Sequence, residues 1–151
     1  MRQGAYSGVL ESLSGARFLR LLADDTRLRI LTLLLRTPDL CVCEFVAVLR
    51  LPQYRISRHL GQLRRSGLLT SRREGPFVFY AIAPVARRHP LRSALLRSIP
   101  HLAGRAAASG DLGRMRRLMR LEGRGAGDGC AATSAPRLVR GRPILRVLST
   151  T

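Results

Sequence analysis

Two cysteines one residue apart, Cys41-Val42-Cys43, carry the most evident chemistry in this 151-residue chain. Thiolates are soft ligands and take soft ions in preference to hard ones. Two thiols this close in the chain can chelate one such ion. Cys130, the third and last cysteine, lies in a glycine-rich stretch that can fold back to add another sulfur. The pair has a plainer reading: two small side chains packed inside a helix, where cysteine is often buried. Three cysteines, two of them adjacent but one, make no disulfide framework, so reduced thiols are expected. His89 and His101 stand beside arginines, with no Asp or Glu between Glu74 and Asp111, and read as surface residues. No nucleophile, base and oxyanion donor can be assembled, so an enzyme is not expected.

The cysteines open a stretch, residues 40–69, built like two short amphipathic helices around a break at Leu51-Pro52. Residues 41–50 are apolar at Val42, Phe45, Val46 and Leu49; residues 53–66 at Ile56, Leu60 and Leu63. Gly67 stops the second segment as a helix C-terminal glycine does. This is the pattern of a helix-turn-helix. If Cys41 and Cys43 both sit on a regular helix, they point about 200° apart. Gripping one ion with both sulfurs then requires the first turn to unwind.

At about 100° per residue, Tyr54, Arg58, Gln62 and Arg65 stand opposite the apolar stripe, with Arg55 and Ser57 on its flanks. Gln53 begins the helix and His59 borders the stripe, as a packing or phosphate-facing residue. Arg and Gln read base edges, and Arg and Ser hold phosphates. The alternative is a solvated basic face. Beyond Gly67, residues 69–73 and 77–82 carry strand-forming residues around a Glu74-Gly75-Pro76 turn. They make a two-stranded wing with Arg72 and Arg73 near its tip, placed for phosphate or minor-groove contact.

The flanks read as follows. Residues 1–8 look flexible. Helical periodicity covers 9–22, then 26–36 with Asp24 or Asp25 as cap, then 84–104 with an interruption near Pro90. Residues 9–104 are therefore expected to form one mainly helical domain with a small β-hairpin. A short basic helical extension follows at 105–122. Residues 123–151, rich in Gly, Ala and Arg, read as largely disordered. Net charge is +18, and all 27 basic residues are arginine. Arginine offers a forked, permanently charged grip on phosphate, so a chain this basic expects a polyanion, most simply nucleic acid. No apolar window is long enough for a membrane span, and the N-terminus makes a poor signal peptide. The expected location is the cytoplasm.

Four segments carry a family resemblance. They are Ala23-Asp24-Asp25-Thr26-Arg27-Leu28-Arg29-Ile30-Leu31, Leu40-Cys41-Val42-Cys43-Glu44, Ile56-Ser57-Arg58-His59-Leu60 and Ser66-Gly67-Leu68-Leu69. In this order and spacing the chain resembles the ArsR/SmtB winged helix-turn-helix repressors, nearest the arsenic-responsive branch, over roughly residues 15–100. The resemblance implies a homodimer, joined through its first and last core helices, that leaves double-stranded operator DNA when a metal or metalloid binds. It implies Cys41 and Cys43 as ligands for trivalent arsenic, or antimony, as inducer, with no cofactor for DNA binding. The chain departs from the pattern at Val46, where a third cysteine is familiar, which leaves Cys130 as the remaining candidate. It departs again at Pro52 and Tyr54, where the family places a small polar cap and a proline, so a shifted helix start is expected. The N-terminal cysteines of cadmium and lead sensors are not present. Zinc sensors use His and carboxylate ligands on the last helix; His89 and His101 are present here, but no carboxylate lies between Glu74 and Asp111. Competing expectations are a thiol redox sensor on the same fold, a response to another soft metal, or an effector-free basic nucleic-acid-binding protein.

Overall fold

The computed structural model describes residues 15–123. The 1–8 segment expected to be flexible, the expected start of the first helix at 9–14, and residues 124–151 with Cys130 lie outside the described residues. Helix α1 (Gly15–Leu22) buries Phe18 and Leu22. Helix α2 (Asp25–Arg36) is capped by Asp24, whose carboxylate accepts from the Arg27 N–H at 2.9 Å. It buries Leu28, Ile30, Leu31, Leu33 and Leu34, more than one stripe can hold, and is the helix around which the others pack. Its buried Thr32 hydroxyl donates to the Leu28 carbonyl at 2.8 Å, so no polar atom is stranded there.

Strand β1 (Leu40–Cys41) leads directly into α3 (Val42–Leu49). Arg50 closes α3 in the left-handed region (φ 54°), its N–H donating to the Val46 carbonyl at 3.0 Å. Helix α4 (Gln53–Arg65) then starts at Gln53, the first residue of the expected segment, without the expected shift. Pro52 stands at the cap position with no side-chain acceptor. Its carbonyl instead accepts from the Arg55 and Ile56 N–H groups at 3.0 and 3.2 Å. At the other end Gly67 (φ 78°) donates to the Arg64 carbonyl, and Leu68 donates to the Leu63 carbonyl. This paired closure needs a residue at positive φ, which glycine adopts without strain.

Strands β2 (Leu69–Glu74) and β3 (Phe77–Ile82) pair antiparallel from Leu69↔Ile82 to Glu74↔Phe77, with Gly75 (φ 57°) in the two-residue turn. The sheet has three strands rather than the expected two, in the order β1-β3-β2. β1 covers the other edge of β3 through Leu40↔Tyr80 and Cys41↔Phe79, giving that edge backbone partners.

Where one interrupted helix was expected at 84–104, there are two, α5 (Pro84–Arg88) and α6 (Pro90–Leu102). Each begins on a proline, at a first-turn position whose N–H would have no helical partner in any case. The residues of the basic extension form helix α7 (Arg105–Gly123), which starts on an alanine run favourable to helix. Its Leu112, Met115, Leu118 and Met119 pack on the core. Among the described residues no helix is long and apolar enough to cross a membrane.

Candidate nucleic-acid interface and thiol site

Ile56, Leu60 and Leu63 are fully buried and fix the rotation of α4. Gln53, Tyr54, Arg55, Ser57, Arg58 and Arg65 are thereby exposed, and Tyr54, at 77%, is among the few large exposed apolar side chains. Two of the named candidates are turned inward. Gln62 is half-buried and accepts from the Arg27 guanidinium at 3.0 Å. Arg27 also donates to the carbonyls of Leu21 and Arg20, so it ties α4 to the end of α1. His59 is half-buried with Nδ1 3.7 Å from the Asp24 carboxylate and no hydrogen-bond partner for that nitrogen.

Burial pushes the His59 imidazole below its ordinary value. Asp24 pulls the other way, while Arg27, Arg55 and Arg58 push it further down. The unfolded chain then takes up this proton first as pH falls. His59 therefore contributes stability above the unfolded value, about 6.5, that is lost as pH falls below it. The unfolding free energy measured by urea titration should fall from pH 7.5 to 5.5, by at most about 1.4 kcal/mol per pH unit for one proton. His59→Gln should remove this component; an unchanged pH slope in that variant would take His59 out of the account.

On the wing, Arg72 is exposed but engaged. It pairs with Asp39 and Glu74 and lies 4.7 Å from the centre of the Phe79 ring. Arg73 is exposed and donates to the Gly75 carbonyl at 3.2 Å, at the turn itself. Of the two, Arg73 is the better placed to meet a phosphate.

The thiol site differs from expectation in one respect. Cys41 is not helical: it is extended (φ −84°, ψ 163°), pairs with Phe79 and stands at the N-cap of α3. Only Cys43 lies in the helix, so the opposed, 200° arrangement does not apply. Cys41 is buried and Cys43 half-buried. The Cys41 N–H donates to the Glu44 carboxylate at 2.7 Å, and the Cys41 sulfur faces the Glu44 N–H, closing a capping box. Glu44 is itself only 3% exposed. The acid three residues after Cys41 was a legible sign of this cap; cysteine in the serine position hid it. Among the described residues no three His, Cys, Asp or Glu side chains gather as a metal site. Cys41 and Cys43 are both thiols, one on each side of the β1–α3 junction.

A buried-stripe helix with an exposed basic face, set behind a shorter helix and followed by a sheet wing, defines a winged helix-turn-helix. Residues 24–71 match the family model described as bacterial regulatory protein, arsR family. The chain is 52% identical over 63 residues to the arsenic resistance transcriptional regulator ArsR1 of Pseudomonas putida, covering 42% of this chain and 49% of that protein. It is 48% identical over 65 residues to the arsenical resistance operon repressor of Escherichia coli, covering 43% and 56%. An HTH-type transcriptional regulator of Methanocaldococcus jannaschii is 40% identical over 67 residues, covering 44% of this chain and 75% of that protein. The chain belongs to the arsR family of transcription regulators. It spans about half the length of the first two relatives.

Proposed function

We propose that this protein is an arsenic(III)-responsive transcriptional repressor. A homodimer holds operator DNA through α4 and the wing, and releases it when trivalent arsenic, or antimony, is bound by thiolates. The observation that carries this reading is the position of Cys41 and Cys43 at the junction of β1 and α3, the helix that leads through the Leu51-Pro52 turn into α4. The names of the relatives at 52% and 48% identity support the choice of inducer. Arsenous acid exchanges its three hydroxyls for three thiols, releasing three waters, with no change of oxidation state. Cys41 and Cys43 give two sulfurs, and Cys130 is proposed as the third.

Coupling follows from the cap. The Cys41 sulfur faces the Glu44 N–H and its backbone pairs with Phe79. A sulfur drawn to a soft ion leaves that cap and loosens the start of α3. α3 in turn sets α4 across the Leu51-Pro52 turn, and β1 is joined to the wing. Leu19 on α1 and Leu102 on α6, 55% and 58% exposed, are proposed to be covered by the partner copy. Two copies of α4 would then meet half-sites about one helical turn apart. The proposed location of this work is the cytoplasm, where thiols are kept reduced.

The test is a titration of the protein–operator complex with arsenite, following DNA release and sulfur-to-arsenic ultraviolet absorption together. Release without the absorption, or absorption without release, would sink the proposal. Within it, Arg58→Ala should weaken operator binding by about 1–3 kcal/mol and relax specificity at one position. Arg58 is exposed, so the melting curve should not move; unchanged affinity would remove it from the reading face.

A further inference from the structure

Helix α7 lies outside the residues matched to the family, yet it is firmly seated. Asp111, 1% exposed, accepts from Arg29 Nε at 2.7 Å and from Arg29 Nη2 at 2.8 Å. Arg114 pairs with the same carboxylate and donates through Nε to the Val48 carbonyl at 2.6 Å. Arg29 also donates to the Leu49 carbonyl at 3.2 Å. These are the last two carbonyls of α3, immediately before the turn into α4. The seating fixes which side of α7 faces out. With Asp111, Leu112, Met115, Leu118 and Met119 inward, Arg116, Arg117 and Arg120 fall together on the opposite side at about 100° per residue, and all three are exposed. None of the three makes an ion pair among the described residues.

We propose that this outer face of α7 is a second nucleic-acid surface: Arg116, Arg117 and Arg120 grip the phosphate backbone of the duplex beside the half-site read by α4. In a helix-turn-helix the first helix crosses the backbone while the second enters the groove. α7 is anchored to the C-terminal end of that first helix, so it travels with the element nearest the phosphates. Three arginines fixed on one rigid face match a line of phosphates in charge and in forked geometry. Contacts of this kind add affinity without reading sequence. The inference rests on the reading of α4 as an operator-binding helix.

The experiment uses the full chain with R116Q/R117Q/R120Q and with the charge-keeping R116K/R117K/R120K. Affinity is measured for operator and scrambled duplexes from 50 to 300 mM salt. Each lost phosphate contact should make the slope of log affinity against log salt shallower by about 0.9. The glutamine variant should therefore lose about 2–3 in slope per protomer, on the order of a hundredfold in affinity near 0.1 M salt, equally on both duplexes. The lysine variant should keep the parental slope. A parent that binds the operator and a glutamine variant with the same slope would overturn the α7 surface alone. A parent that binds no duplex would overturn both readings. Loss of binding to RNA or an acidic peptide, with the duplex slope unchanged, would assign this face elsewhere and overturn it too.

Discussion

Cys43→Ser is expected to leave operator affinity at the parental level and to abolish release by arsenite. The side chain is half-buried in the first turn of α3, where serine is nearly isosteric and an ordinary helix-start residue. The fold should hold. What changes is the ligand: a hard hydroxyl replaces a soft thiolate, and the chelate with Cys41 is lost. Cys130→Ser should act more weakly. It removes only the third sulfur, so the response to arsenite should shift to higher concentration while the response to a monomethylated trivalent arsenical, with two sites open to thiols, should stay. X-ray absorption should count three sulfurs around arsenic in the parent and two in this variant. If Cys43→Ser still releases DNA at the parental arsenite concentration, the pair is not the sensor.

Asp111→Ala is expected to be the most destabilising single change outside the hydrophobic core. The carboxylate is almost fully buried and receives two guanidinium groups. Its hydrogen bond and charge hold the Arg29 guanidinium above its ordinary value, against the opposing effect of burial. Removing it leaves two cations facing each other across a closed contact. Breaking a buried pair in this way costs about 3–5 kcal/mol, and solvent reaching Arg29 and Arg114 brings the expectation nearer 2–3 kcal/mol. Urea unfolding gives the number. A loss below about 0.5 kcal/mol would mean that the contact is worth no more than an exposed ion pair. Asp111→Asn keeps an acceptor and should fall between.

The recognition segment was legible because its signals are local. The Ile56, Leu60 and Leu63 stripe and Gly67 lie within one helix and its stop, and they land as read. The wing strands, bounded by their turn residues, were legible in the same way. What escaped was made by residues distant in sequence. Cys41 is extended because Phe79, on the far side of the wing, offers it a backbone partner, and nothing within the Cys-Val-Cys segment says so. Gln62 looks outward on a helical projection until Arg27, 35 residues earlier, claims its amide oxygen. The seating of α7 depends on Arg29 and Asp111, 82 residues apart, a pairing that no periodicity carries. Cys130 lies outside the described residues, so its part in the site stands as a proposal.

The pairing of Leu40 with Tyr80 has a consequence for how the chain comes together. It joins the two ends of the segment that holds both helices and the hairpin, turning that segment into a closed ring. Closing a ring of this size costs only slightly more entropy than closing one half as long, but it must wait until the intervening pieces are in place. β1 is therefore expected to dock late in folding and to be among the first pieces to come away, since two residues hold it. A latch that closes last is well suited to be opened first, and Cys41 is one of its two residues.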